Sequence, residues 1–248
     1  MRQIVPVIVI LLLAIAGGWW WSSTEGDTPP PAPEQTASEE TVSNGIDAPD
    51  TPAGEAAQIA DSAAEDTQDT ADAVNRAVEN APAGETVSAD EAADAADAAA
   101  DAAAIAADAA AEAVRASQDA EVQPASEAAT EAEAAAEAAL AAADRAADAA
   151  ADTAERDVTD QDTAETAADA ASDAAAATAR AADAAATAAQ IEALLTPEGF
   201  DADRVARIIE DAQISPTQKA TLQRLIETAA GNPDLLRAAL DQVKAVMK

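Results

Sequence analysis

The sequence predicts an all-α chain in four parts: an N-terminal transmembrane helix, a disordered Pro-rich acidic linker, long Ala/Asp/Glu-rich helices that are extended or loosely bundled, and a small C-terminal helical bundle. Three observations predict it. Ala, the strongest helix former, supplies 80 of the 248 residues. Apolar side chains larger than Ala gather at the two ends, with 17 in residues 191–248 against 11 in residues 23–190. The chain carries 48 acidic and 13 basic side chains, a net charge of -35, and beyond three N-terminal Trp its one aromatic residue is Phe200. Burying Ala at about 25 cal/mol per Å² does not offset backbone ordering of about 1 to 2 kcal/mol per residue, so a single large core is not expected.

Residues 1–21 read as a transmembrane signal anchor. Ile4 to Trp21 carry no charge and number 18, enough to span hydrocarbon as a helix. Arg2 precedes them and the next basic residue is Arg76, so the positive-inside bias sets the topology: N-terminus cytoplasmic, the remainder extracytoplasmic, periplasmic in a bacterium. Trp19, Trp20 and Trp21 suit the outer membrane interface, where an indole half-buries its ring and keeps its N–H wet. A removable signal peptide cut after Ala14-Ile15-Ala16 is the competing expectation, and it delivers the same chain to the same side.

Residues 22–54 read as a disordered linker, because six Pro and seven acids accompany only Val42 and Ile46 as larger apolar side chains. Residues 55–190 read as an Ala-rich acidic helical stalk. Breaks near Pro82 to Gly84, near Pro124 and at Asp157 to Thr159 divide it into four helices of about 40 to 50 Å at 1.5 Å per residue. Ser88 and Glu91 have the spacing of a capping box before the second helix, and Ser126 caps the third after Pro124. Asp94, Asp97, Asp101, Asp108 and Glu112 fall on one face of the second helix, opposite a face of nearly pure Ala. Leu-type heptads are missing, so an Ala-seamed bundle and extended helices both fit.

Residues 191–248 read as a small domain of three to four helices. Asp201 caps a helix carrying Val205, Ile208 and Ile209. Ser215-Pro216-Thr217-Gln218 combines an N-cap, a first-turn Pro and an N3 Gln. That helix turns Leu222, Leu225, Ile226 and Ala229 inward and ends at Gly231 as the residue after the C-cap. Asn232-Pro233 opens the last helix, lined by Leu236, Leu240, Val243 and Met247. Seven of the basic residues lie here against nine acids, so this region nets -2 while residues 23–190 net -34.

Composition excludes several function classes. With no Cys and no His, thiolate catalysis, zinc-thiolate sites and the commonest general base are gone, and we expect no catalytic residues, no cofactor and no metal site. The acids at Asp157, Asp160, Asp162 and Glu165 lack the Gly and the alternating ligands of a calcium loop, which leaves diffuse association of divalent cations with the acidic region. A chain this acidic repels phosphate backbones, so nucleic acid is not an expected partner.

The expected partners are the membrane, through one span, and a protein bound through 191–248. Phe200, Arg204, Arg207, Arg224 and Arg237 are the expected partner contacts, because interfaces favour aromatic and Arg anchors. In layout the chain resembles the membrane-anchored helical linker protein of the bacterial Tol system: an anchor, a long Ala-rich helical region and a small terminal domain. The likeness is architectural and shares no motif, that family's helical region being rich in Lys. The expected function is a non-enzymatic, membrane-anchored extracytoplasmic spacer presenting a small helical interaction domain. The alternative is a secreted acidic protein that binds cations diffusely or acts as a hydrophilic protectant.

Overall fold

The computed structural model describes residues 46–80, 89–155 and 161–248. The expected span with Arg2 and Trp19 to Trp21, the linker to residue 45, the Ser88 cap and the acids at Asp157 and Asp160 lie outside the described residues. Those described belong to one compact unit. Among them there are seven helices and no strand: α1 (Pro52–Asn80), α2 (Ala89–Ala120), α3 (Gln123–Glu155), α4 (Gln161–Leu194), α5 (Ala202–Asp211), α6 (Pro216–Ala229) and α7 (Pro233–Val246). No helix among the described residues is long and apolar enough to cross a membrane.

Of the two arrangements open to the long helices, they take the bundled one. Ala recurs on a seven-residue repeat. In α2 the buried set is Ala92, Ala99, Ala106, Ala113 and Ala120, with Ala95, Ala102, Ala109 and Ala116 three residues further on. In α3 it is Ala125, Ala132, Ala139 and Ala146, with Ala128, Ala135, Ala142 and Ala149. The repeat averages 3.5 residues per turn, so one stripe stays aimed at the neighbouring helices along the whole length. A methyl side chain lets the axes approach closely, and most of the buried Ala of the long helices form one cluster in which Val74, 4% exposed, is the largest buried hydrophobic member.

The chain direction follows from the contacts. Asp47 meets Gln190 and Gln68 meets Ser172, so α1 and α4 run antiparallel, whereas Ala102 meets Thr178 with α2 and α4 running the same way. α4 packs on α1, α2 and α3, and α2 packs on α1, α3 and α4, which makes α2 and α4 the central pair and α1 and α3 the flanks. Two buried hydroxyls cross the seams. Thr67 donates to Ala98 O at 3.2 Å, and Thr178, fully buried, donates to Ala102 O at 3.3 Å as well as to Ala174 O in its own helix.

The second core forms at one end of the bundle. Ile191, Leu194 and Leu195 from the end of α4 join Val205, Ile209, Leu222, Ile226, Leu236, Leu240, Val243 and Met247, and Val122 from the α2–α3 corner is buried among them. At that corner Glu121 adopts φ 56, a left-handed conformation that costs a non-Gly residue. The last residues of the chain brace it: Gln123 N–H donates to Met247 O at 2.8 Å, Lys248 pairs with Glu121 at 3.2 Å and Lys244 donates to Asp119 O at 3.1 Å.

Two local readings are corrected. α1 begins at Pro52 inside the expected linker, because Thr51 caps it (Gly54 N–H to Thr51 Oγ1, 3.1 Å) and Pro is well placed at the first helical position. α3 begins at Gln123, directly after the break at Glu121 and Val122, with Pro124 in its first turn; Ser126 lies inside the helix, its hydroxyl donating to Val122 O at 3.4 Å, and does not cap it. Gly231 follows the Ala230 C-cap as expected, and Asn232 N–H closes the turn on Ala229 O at 2.9 Å. The caps at Asp201, Ser215 and Asn232 are present, with both halves of the Ser215–Gln218 capping box made.

Candidate functional site

Antiparallel packing brings the start of α1, the end of α4 and the C-terminal helices to the same end of the bundle, and the site is built there. Before α1 the chain runs as an extended strap, Ile46 to Asp50. Ile46 N–H donates to the Asp61 carboxylate at 3.3 Å and Gln58 Nε2 to Ala48 O at 3.3 Å, which holds the strap on α1. Gln190 Nε2 donates to Asp47 O at 2.5 Å, and Arg204 Nη2 lies 3.9 Å from the Asp47 carboxylate, which ties it to α4 and α5. Pro49 and Gly54 meet so closely that a Cβ on Gly54 would sit 1.9 Å from Pro49 O.

Beside the strap, α4 and α5 enclose a groove of about 490 Å³. Its floor is Ile191, Leu194, Ile208 and Pro124, and its rim is Thr187, Gln190, Arg204, Arg207 and Asp211. Arg204 and Arg207 share one side of α5 because they lie three residues apart, one turn after the Asp201 cap whose carboxylate accepts Arg204 N–H at 2.9 Å. Arg207 Nε donates to Asp203 O at 3.3 Å. Arg204 is paired only at long range with an Asp47 side chain that is 93% exposed, a contact of small value. Two planar cations over an apolar floor suit an apolar side chain flanked by carboxylates.

On the far side of α4 the surroundings differ. Glu192 is held above the usual carboxylate range, first by burial and then by facing Asp119, while Lys244 pulls it the other way.

Of the expected contact residues, the structure brings Arg204 and Arg207 to this groove. Arg224 lies exposed on α6 and Arg237 exposed on α7, outside the groove lining. Phe200 is partly buried and packs against the C-terminal core. Gln190, Thr187, Pro124 and Asp47 were missed, because they sit in segments that read as stalk and linker and only the return of the chain makes them neighbours. Among the described residues no group of three His, Cys, Asp or Glu side chains is placed to hold a metal ion.

No protein-family model matches the chain, and no curated protein or solved structure matches it.

Proposed function

We propose that the chain is a non-enzymatic, membrane-anchored extracytoplasmic protein whose folded unit is an acidic spacer that offers its C-terminal end to a protein partner. The observation that carries this reading is the common end. The strap before α1 touches Gln190 and Arg204, so the first described residues of the chain run beside the arginine-rimmed groove. The bundle contributes bulk and negative charge: its interior is Ala and its carboxylates point to solvent, which repels anionic surfaces and other copies of itself. In this proposal reach away from an anchor comes from the linker rather than from the length of the helices. Composition supports action without catalysis, since the chain has no His, no Cys and no Tyr.

The test is photocrosslinking in cells, with a photoreactive residue placed at Arg207 or at Asp144 on the outer face of α3, combined with fractionation and protease treatment of spheroplasts. A membrane-bound chain whose C-terminal helices are cleaved from outside, with a protein adduct from position 207 and none from 144, is the expected result. A chain recovered wholly in the soluble fraction, or adducts from 144 alone, overturns the proposal.

A further inference from the structure

α6 and α7 pack together through Leu222, Ile226 and Ala229 on one side and Leu236, Leu240 and Val243 on the other. On the outer side of the same pair lies a groove of about 260 Å³, lined chiefly by Leu225, Thr228, Leu235, Ala238 and Gln242. Leu235, on its rim, is 52% exposed, although the next residue, Leu236, is 7% exposed. A single exposed Leu needs no explanation; an exposed Leu on the rim of an apolar groove supplies both a knob and a hole on one patch. This is what a two-fold interface requires, since the same surface must complement itself.

Charge selects the occupant. Residues 216–248 carry five basic and three acidic side chains, a net of +2, whereas residues 1–215 carry eight basic and 45 acidic, a net of -37. A second copy is repelled by the acidic bundle and least opposed at this hairpin. Arg224 adjoins Leu225 on the α6 flank of the groove; Asp234 and Asp241 stand on the α7 flank, and all three are exposed. A two-fold axis in the interface, parallel to the hairpin, lays α6 of one copy on α7 of the other. Each Leu235 then enters the partner's groove, with Arg224 facing the partner's Asp241.

We infer that the α6–α7 face is a homodimer interface. Two 14-residue helices, each about 21 Å long, present about 400 Å² per copy, so a dimer buries about 800 Å² in total, below the 1,200 to 2,000 Å² of stable complexes. The dimer is therefore weak and concentration-dependent.

Because the chain has no Cys, single-cysteine crosslinking of the full-length protein with a short bismaleimide tests this directly. The Ala238→Cys chain is expected to give a dimer whose fraction rises with protein concentration and exceeds that of the Asp144→Cys control at least fivefold. Adding Leu235→Asp should cut the yield at least fivefold with helix content unchanged, since that side chain is exposed. Arg224→Asp should lower the yield and Asp241→Arg in the same chain should restore it. Equal crosslinking from positions 238 and 144, a yield indifferent to Leu235→Asp, or adducts from 238 to a different protein instead of a second copy would overturn the inference.

Discussion

Gly54 shows how one residue fixes the site. A Cβ at this position would come within 1.9 Å of Pro49 O, so no side chain fits between α1 and its strap. Gly54→Ala should displace the strap and cost about 1 to 3 kcal/mol, read as a lower melting temperature together with faster amide exchange at Ile46. Sequence alone gives Gly54 as linker, because Pro and acids dominate residues 22–54, and only the return of the strap explains the glycine. Glu192 carries the pH dependence. An acid whose pKa is raised on folding takes up a proton more readily folded than unfolded, so its ionisation opposes folding. That opposition is complete above the raised value and relieved as pH falls through it to the ordinary carboxylate range, near pH 4. Glu192→Gln should therefore raise the melting temperature at pH 7 and have almost no effect at pH 4. An equal gain at both values would assign the change to packing instead.

The long helices owe their arrangement to where Ala lies as much as to how much of it there is. α1 is buried at Ala57, Ala64 and Ala71, each followed three residues on by Ala60, Thr67 and Val74, the narrow stripe of a flanking helix. α4, which touches three neighbours, adds Ala168, Ala175, Ala182 and Ala189 and also Ala170, Ala177 and Ala184, a far wider buried surface. The heptads of α2 and α3 are written in the sequence only as positions that Asp and Glu never occupy. A search for Leu at those positions overlooks them, because the signal is exclusion of charge and not presence of bulk. Depth of packing was not legible: each methyl buries little area, and the seam holds through many close contacts and the Thr67 and Thr178 hydroxyls. Enlarging the seam should accordingly do harm. Ala106→Leu, at a position with no exposure, adds hydrophobic area yet should destabilise by about 1 to 3 kcal/mol in chemical denaturation, because the axes must part to admit it. A gain in stability would show that the seam has room.

For the whole molecule, the decisive feature is closure. Laid end to end, α1 to α4 hold 29, 32, 33 and 34 residues and would reach about 190 Å at 1.5 Å per residue; folded, they are four side-by-side lengths of about 50 Å. Glu65 and Ala176 line one groove between α1 and α4 although 111 residues separate them. Spin labels on Glu65→Cys and Ala176→Cys should report about 10 to 25 Å, since neighbouring axes lie 8 to 10 Å apart; a distance beyond about 50 Å would mean an open array. The C-terminal helices were legible almost residue by residue from their caps and apolar spacing. Their dependence on Val122 was not, because that side chain is 69 residues before Ile191 and reaches them only through the α2–α3 corner. Val122→Ala should cost about 1 to 3 kcal/mol and speed amide exchange at Gln123, whose N–H donates to Met247 O.

The strap at Ile46 to Asp50 also decides how the molecule would bear a pull. Because the chain enters and ends at the same end of the bundle, tension applied between the linker and the last helix would load the strap, its contacts with Gln190 and Arg204, and the Gln123–Met247 clasp, while leaving the Ala seams unstrained. Were the chain held through its N-terminal segment, as proposed, the bundle would be loaded as a pendant and not as a strut in series with its attachment. The first element to yield under load would be the strap, and the four long helices would keep their register until after it had given way.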